Sequence, residues 1–203
     1  MWLRAVFFDV GETLVDERGY WRRAAALAGL PEHVVAAALG VTIARGEDHR
    51  ALWDHLGVAR PPGLDRVVYE PDELHPDARA CLERVRALGL FVGIAGNQTA
   101  ALEAWARGLE LPADLIASSA GWGVRKPDPA FFERMTAEAG CPPDAVAYVG
   151  DRVDNDVLPA LAAGLVAVHV RRGPWGLLQA GAERAHLRLG SLAALPEALR
   201  SLA

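Results

Sequence analysis

The chain has 203 residues, of which 52% are apolar, and a formal net charge of −5, the balance of an ordinary globular protein. This composition excludes intrinsic disorder and a disulfide scaffold. The chain also lacks a long basic run, so we expect neither a nucleic acid nor a membrane surface as its partner. The longest uncharged apolar run, residues 157–170, is shorter than the about 20 residues that cross a bilayer. Asp9 interrupts the first apolar stretch before a secretory core can form, so we expect a cytoplasmic protein.

Five short apolar runs predict strands that are buried on both faces of a parallel sheet, because each run is nearly continuous rather than alternating. The first strand is predicted at residues 4–10. The next segment has no strand pattern and predicts three short helices at residues 20–30, 31–45 and 48–58. From residue 76 onward, helical segments alternate with the other four predicted strands, at residues 90–95, 114–118, 145–149 and 165–170.

This order of elements predicts a doubly wound α/β fold with a parallel sheet. Its core would comprise residues 1–17 and 73–203. A small α-helical segment, residues 18–72, would be inserted after the first strand. We expect this insertion to cover the carboxyl ends of the strands, where open α/β sheets bind their ligands.

Four polar stretches follow predicted strands, at residues 7–14, 93–97, 124–129 and 149–156. They are expected to converge on one crevice at the carboxyl edge of the sheet. One stretch contains Asp151, Asp154 and Asp156, and clustered carboxylates repel each other unless a cation or solvent relieves them. With Asp9 nearby, the sequence predicts an acidic pocket for a hard divalent cation, for which Mg²⁺ is the natural candidate.

The rarest polar residues of the chain lie in these same stretches. Of 21 Lys and Arg residues 20 are Arg, and the single lysine is Lys126. The only asparagines are Asn97 and Asn155. An ammonium group is a compact point charge whereas a guanidinium is a wide fork, so the retained lysine indicates a place that requires the former. The combination suggests a nucleophilic carboxylate, a fixed ammonium and turn amides that hold phosphate oxygens.

Three motifs together resemble the haloacid dehalogenase-like (HAD) hydrolase superfamily, in the form with a small helical C1-type cap. They are Asp9-x-Gly11-x-Thr13-Leu14, Arg125-Lys126-Pro127-Asp128-Pro129, and Gly150-Asp151 with Asn155-Asp156. The resemblance covers essentially the whole chain. It implies a Rossmann-like core with a cap inserted after the first strand.

The resemblance also implies an activity, a cofactor and site residues. It implies a phosphatase that acts on a small phosphorylated metabolite through an aspartyl-phosphate on Asp9. Mg²⁺ would be held by Asp9, by the backbone carbonyl of Gly11 and by Asp151. Asp156 would order a metal-bound water or Lys126, and Lys126 would neutralise the nucleophile and the phosphate. The implied phosphate-binding residues are Thr13, Gly96, Asn97, Lys126 and Asn155. We expect a monomer or a homodimer.

Two positions depart from the family pattern. Gly11 stands where the family's phosphatases carry a second Asp, the general acid and base. Loss of that help typically costs about 10²–10⁴-fold, and leaving groups of low pKa need it least. We therefore expect acyl, aryl or anhydride phosphates to be preferred over alkyl monoesters, unless the adjacent Glu12 substitutes. Gly96 stands where the family carries a Ser or Thr, although the backbone amides of Gly96 and Asn97 remain available to an anion.

Three other functions fit parts of the pattern. The first is a catalytically weakened domain that only binds phosphate or metal. The second is a 2-haloacid dehalogenase, but that branch replaces the acid at Asp151, which this chain keeps. The third is a response-regulator receiver, which has no inserted cap. A phosphonoacetaldehyde hydrolase is excluded, because it needs a cap lysine and Lys126 lies outside the predicted insertion.

Candidate substrate contacts are Trp21, Arg22, Arg23, Arg45, His49, Arg50, Trp53, His55, Arg171, Arg172 and Trp175.

Overall fold

The computed structural model describes residues 2–202 and contains one parallel sheet of six strands. The strands are β1 (Ala5–Phe8), β2 (Phe91–Gly96), β3 (Leu115–Ser118), β4 (Val146–Gly150), β5 (Val166–Val170) and β6 (Leu187–Leu189), in the spatial order β3-β2-β1-β4-β5-β6. This arrangement confirms the predicted doubly wound α/β fold. The sequence did not predict β6, because this strand has only three residues and lies at the edge of the sheet, where they are partly or fully exposed.

The helices flank the sheet and connect its strands. Their bounds are α1 (Arg18–Ala28), α2 (Glu32–Ala44), α3 (Ala51–His55), α4 (Ala78–Ala87), α5 (Ala100–Gly108), α6 (Ser119–Trp122), α7 (Pro129–Ala139), α8 (Leu158–Ala162), α9 (Gly173–Leu178) and α10 (Leu195–Arg200). The sequence signals for α7 are direct. Asp128 caps its first turn by accepting a hydrogen bond from the Ala130 amide, and Gly140 ends it in the left-handed conformation.

Both faces of the sheet are buried, which explains the continuous apolar strands. Alternate residues of a strand point to opposite faces. Val6 and Phe8 of β1 therefore pack in one buried cluster with α4, α5 and α10, whereas Ala5 and Phe7 pack in another with α7 and α8. The central strands are thus sandwiched between two helical layers, and their carboxyl ends open together at one edge.

Helices α1, α2 and α3 form a third buried cluster, which Trp175 of α9 joins from beside the sheet. The structure begins α3 at Ala51 rather than at residue 48, because the Asp48 carboxylate accepts a hydrogen bond from the Arg50 amide and holds a turn there. The predicted limits of the insertion, residues 18–72, stay a prediction. Residues 1 and 203, the outer ends of the predicted core ranges, lie outside the described residues.

Over residues 2–202 we find no single helix that is long and apolar enough to cross a membrane. Helices α1 and α2 reach that length only as a pair bent by 110°. In the structure, buried residues of both helices pack together in the third cluster.

The chain reverses sharply after β1. The carbonyl of Val10 accepts hydrogen bonds from the amides of Leu14 (2.9 Å) and Val15 (3.0 Å), and α1 begins three residues after Val15. The reversal brings the residue before α1, Glu17, back beside Gly11.

Candidate active site

Most of the predicted site residues meet at the carboxyl ends of the central strands. Asp9 follows β1 directly, and Asp151 follows the neighbouring β4, with Phe8 and Val149 in register between the two strands. Asn97 follows β2, on the other side of β1. The loop before α7 supplies Lys126, so four separate segments contribute to one site.

Lys126 lies at the centre of the site. Its ammonium Nζ donates to Asp9 Oδ1 at 2.8 Å and to Asp156 Oδ1 at 2.6 Å. The side chain is almost fully buried. Although burial opposes its charge, Asp156 and Asp9 outweigh that effect and raise the pKa of Lys126 well above its ordinary value. The lysine is therefore a positive charge held between two carboxylates.

The surroundings of Lys126 account for a lysine rather than an arginine. Nζ lies between two carboxylates and 5.2 Å from the centre of the Tyr148 ring. The Tyr148 hydroxyl is itself engaged, because it donates to the carbonyl of Ala95 at 2.8 Å. A compact ammonium fits this enclosed position, whereas a planar guanidinium is considerably larger.

Three buried carboxylates, those of Asp9, Asp151 and Asp156, offer oxygens within 4.8 Å of one another. Both oxygens of Asp156 already have partners, since Oδ1 accepts from Lys126 and Oδ2 accepts from the Arg152 amide at 2.8 Å. Burial, reinforced by the charges of Asp156 and Asp9, raises the pKa of Asp151 well above its ordinary value. Burial likewise raises the pKa of Asp156 to about 6, against the effect of Lys126. The cluster is thus short of positive charge and could bind a metal ion.

Asn97 stabilises the loop that carries Lys126 through both the oxygen and the nitrogen of its side-chain amide. Its Oδ1 accepts from the Lys126 amide at 2.8 Å, and its Nδ2 donates to the Lys126 carbonyl at 2.9 Å. The side chain also lines the central cavity. Asn155 lines the same cavity from the irregular turn Val153–Val157.

Thr13 lies apart from these residues. Its side chain is fully buried, and its Oγ1 makes no hydrogen bond with the described residues. Its backbone is engaged, because its amide donates to the Gly11 carbonyl at 2.6 Å and its carbonyl accepts from Arg172 at 3.1 Å. Among the residues described, the cavity lining includes Gly11 but not Thr13.

Both unexpected glycines lie against carboxylates. A Cβ placed on Gly96 would lie 3.5 Å from Cγ of Asp9, and closer still to its Oδ1. A Cβ on Gly11 would lie 2.8 Å from Cδ of Glu17, and again closer to its Oε1. The first contact explains Gly96 as room for the Asp9 carboxylate. The second shows that Glu17 fills the space that a side chain at residue 11 would occupy.

Glu17 is a site residue that the sequence did not reveal. Its Oε1 accepts a hydrogen bond of 2.5 Å from the buried Tyr69 hydroxyl, 52 residues along the chain. Burial raises the pKa of Glu17, and the negative charge of Asp9 adds to this, while the hydrogen bond from Tyr69 acts in the opposite direction. A single Glu just before a helix is common, so no signal in the sequence distinguished Glu17.

The cavity between the strand ends and the helical segment has a volume of about 620 Å³, the size of a small-molecule site. Four of the eleven predicted substrate contacts line it: Trp21, His49, Arg50 and Trp175. Other predicted contacts have structural partners instead. Arg23 binds Glu73 and the Val68 carbonyl, and Arg172 binds Asp77.

Arg152 is a further cavity residue that the sequence did not single out. Its guanidinium lies 3.6 Å from the centre of the Trp175 ring and binds both oxygens of Asp154, at 3.0 and 2.6 Å. His169 Nε2, on β5, donates to the carbonyl of Asp151 at 2.9 Å and so holds the residue that follows β4. These contacts hold the loop after β4 in place.

Comparisons with known proteins agree with this geometry. The chain is 28% identical over 201 residues to the glyceraldehyde 3-phosphate phosphatase of Methanopyrus kandleri, an alignment that covers 85% of this chain and 86% of the relative. A predicted phosphoglycolate phosphatase from Haemophilus somnus has a similar structure, with a TM-score of 0.71, 17% identity and coverage of 98% and 99% of the two chains. The L-2-haloacid dehalogenase of Xanthobacter autotrophicus, with chloropropionic acid covalently bound, has a TM-score of 0.69 at 20% identity, over 99% and 100% of the chains.

At these identities, the two solved structures show the shared fold and do not separate a phosphatase from a dehalogenase. The family model of haloacid dehalogenase-like hydrolases matches residues 3–164. This match spans β1, the helical segment, β2, the lysine loop and the acidic turn after β4, and it includes Asp9, Asn97, Lys126, Asp151 and Asp156. The protein therefore belongs to the haloacid dehalogenase-like hydrolase family.

Proposed function

We propose that the protein is a Mg²⁺-dependent phosphatase that hydrolyses a small phosphorylated metabolite through an aspartyl-phosphate on Asp9. The observation that carries this proposal is the buried ion cluster. Lys126 binds both Asp9 and Asp156, and the carboxylate of Asp151 lies within the same cluster. This arrangement fixes a nucleophile next to positive charge, which is the requirement of phosphoryl transfer.

The donor set fits a hard divalent cation. Asp156 is already bound on both oxygens, so Asp9 and Asp151 are the carboxylates left for a metal, together with the Gly11 carbonyl. Mg²⁺ prefers oxygen ligands of this kind. Bound there, it would supply positive charge to the phosphate oxygens and relieve the repulsion between the carboxylates.

The residues of the chain would then perform two displacement steps. Lys126 holds Asp9 through Oδ1, which leaves Oδ2 to attack phosphorus. A bond forms between Oδ2 and phosphorus while the bond from phosphorus to the substrate oxygen breaks. Water then attacks the phosphorus of the aspartyl-phosphate, which restores the Asp9 carboxylate and releases inorganic phosphate. Throughout, Lys126 neutralises negative charge, and Asn97 keeps the lysine loop in position.

The substrate class follows from the size and charge of the cavity. A volume of about 620 Å³ suits a small metabolite. Arg50, Arg125 and Arg152 line the cavity together with Lys126, which favours an anionic ligand. The similarity to a glyceraldehyde 3-phosphate phosphatase makes three-carbon phosphate esters the first compounds to test.

The proposal is tested by measuring phosphate release from acetyl phosphate and glyceraldehyde 3-phosphate, with Mg²⁺ and with a chelator. We expect turnover that requires both Mg²⁺ and Asp9, so Asp9→Asn should be inactive. Asp144→Asn, which changes an exposed carboxylate far along the chain, is the matched control and should retain wild-type turnover. Chloride release from 2-chloropropionate without metal would instead identify a dehalogenase. Phosphate binding without turnover of either ester would identify a binding module.

A further inference from the structure

We infer that Glu17 is the proton donor and acceptor of the reaction and serves in place of a residue at position 11. The inference rests on the phosphatase function proposed above and adds a catalytic residue to it. In hydrolysis of an alkyl phosphate, the departing oxygen needs a proton, and a positioned carboxyl group typically supplies about 10²–10⁴-fold in rate.

Four carboxyl side chains of the described residues line the cavity: Asp9, Glu17, Asp65 and Asp151. Asp9 is bound by Lys126, and Asp151 belongs to the acidic cluster. Asp65 accepts two hydrogen bonds from Arg60, at 2.7 and 3.2 Å, and is largely exposed. Glu17 is the remaining carboxyl group, and the donor that binds it is the Tyr69 hydroxyl rather than a cationic side chain.

The carboxyl of Glu17 lies in the space that a Cβ on residue 11 would enter. Its Cδ is 2.8 Å from the position of a Cβ built on Gly11, and its Oε2 is 3.4 Å from that point. Gly11 follows the nucleophile by two residues. A carboxyl group in this space therefore lies at the same edge of the cavity as Asp9, although it belongs to a residue eight positions after the nucleophile.

Tyr69 fixes the orientation of this carboxyl. Its hydroxyl donates to Glu17 Oε1 at 2.5 Å, and its ring packs edge-on against Trp105, with 5.3 Å between the ring centres. Burial raises the pKa of the Tyr69 hydroxyl well above its ordinary value, so the hydroxyl remains a donor. Since Oε1 accepts this bond, Oε2 is the oxygen that can hold the proton to be transferred.

The proton balance closes over the two steps. As Asp9 bonds to phosphorus, the bond from phosphorus to the substrate oxygen breaks, and the proton of the Glu17 carboxyl moves to that oxygen, so an alcohol leaves. The Glu17 carboxylate then takes a proton from the water that attacks the aspartyl-phosphate. The products are the alcohol and inorganic phosphate, and the Glu17 carboxyl regains its proton.

Glu12, the substitute that the sequence suggested, is differently placed. Its backbone adopts a left-handed conformation with φ of 51°, and its side chain packs against Gly173 at the start of α9. Among the described residues, the cavity lining includes Glu17 but not Glu12. Glu12→Gln is therefore the control for Glu17→Gln: it replaces a glutamate of the same segment, one whose charge also acts on Glu17, and leaves the carboxyl that lines the cavity in place.

The inference reverses the substrate preference expected from Gly11. With Glu17 as the acid, the wild type hydrolyses alkyl monoesters, and a preference for acyl phosphates appears only when Glu17 is replaced. The experiment compares kcat/KM for acetyl phosphate and for glycerol 3-phosphate in the wild type, Glu17→Gln and Glu12→Gln. The acetate that leaves acetyl phosphate needs little proton donation, whereas the alkoxide that leaves glycerol 3-phosphate needs a full proton.

For Glu17→Gln we expect kcat/KM to fall about 10²–10⁴-fold for glycerol 3-phosphate and less than about tenfold for acetyl phosphate. The variant should also accumulate the phosphorylated form of Asp9 when it is given acetyl phosphate, because the base for the second step is missing. Intact-protein mass spectrometry measures this species independently of turnover. Glu12→Gln should keep the wild-type ratio of the two kcat/KM values.

A second pair of variants keeps the test decisive if Glu17→Gln is poorly folded. In Gly11→Asp/Glu17→Ala, the new carboxyl occupies the vacated space, and we expect more alkyl-ester turnover than in Glu17→Ala alone. Equal losses for both esters in Glu17→Gln, or an unchanged ratio, would overturn the role of Glu17 alone. Absence of Asp9-dependent turnover of any phosphate by the wild type would overturn the proposed function and this inference with it.

Discussion

Replacement of the single lysine by methionine, Lys126→Met, is the sharpest perturbation of the proposed site. Methionine keeps the length and the apolar stem of lysine and removes only the ammonium. That ammonium binds Asp9 at 2.8 Å and Asp156 at 2.6 Å, and the residue is only 2% exposed. The variant therefore leaves two buried carboxylates without their cation, next to a third at Asp151.

The expected loss of stability follows from this burial. Removing one partner of a buried ion pair typically costs about 3–5 kcal/mol, because the other partner is left as an uncompensated charge. For a protein of about 200 residues, each kcal/mol lowers the melting temperature by about 2–4 °C. In metal-free buffer, Lys126→Met is therefore expected to melt about 6–20 °C below the wild type. Mg²⁺ should restore part of this difference, since it supplies positive charge to the same carboxylates.

Thermal unfolding followed by circular dichroism, with a chelator and with Mg²⁺, measures both effects. Arg125→Met, at the exposed neighbouring residue, is the matched control and should change stability by less than about 1 kcal/mol. Turnover of Lys126→Met should fall at least about 100-fold. A melting temperature within about 2 °C of the wild type in metal-free buffer would refute the reasoning. Near wild-type turnover by Lys126→Arg would show that the site does not require an ammonium.

Three further predictions concern the residues around the lysine. Burial raises the pKa of Asp151, so this group contributes stability below its unfolded value of 3.8 and loses that contribution as the pH rises. The increase in melting temperature caused by Mg²⁺ should therefore be larger at about pH 8 than at about pH 5, and Asp151→Asn should abolish the trend. Asn97→Asp loses the amide donor to the Lys126 carbonyl, so kcat should fall while the KM for substrate changes little; a change confined to KM would instead assign Asn97 to phosphate binding. Trp175→Ala removes a buried ring that joins α9 to the helical segment, and calorimetry should show a loss of about 3–5 kcal/mol in the free energy of unfolding.

Most of the fold could be predicted because its signals are local. Continuous apolar runs marked the five longer strands, and Asp128 and Gly140 marked the two ends of α7. The edge strand β6 has three residues and little burial, so it produces no comparable run. The order of the strands in the sheet depends on contacts between distant segments, and the sequence could suggest only the class of architecture.

The candidate site was predictable at the positions where the chain uses a residue type that is rare in the rest of its sequence. Lys126 and Asn97 stood out by scarcity, and the structure brings their two loops together, with the Asn97 side chain bound to the backbone of Lys126. Thr13 fits the family motif equally well, yet its side chain is buried outside the cavity. A motif thus predicts which segments converge, whereas the direction of each side chain depends on the packing beneath it.

Glu17 shows the opposite case, a residue whose significance depends wholly on the tertiary structure. Its carboxyl lies beside Gly11 because the chain reverses after β1, and it is oriented by Tyr69, 52 residues away. Glu17 directly precedes the first helix of the predicted insertion, and Tyr69 lies near its end, where Arg23 also binds Glu73. The hydrogen bond between Glu17 and Tyr69 therefore joins, beside the cavity, the segment that leads from the sheet into α1 and the segment that leads from α3 back to the sheet. A distant residue can thus place a carboxyl group in the space left by a glycine at position 11, and this is why a departure from a local motif is weak evidence for loss of activity.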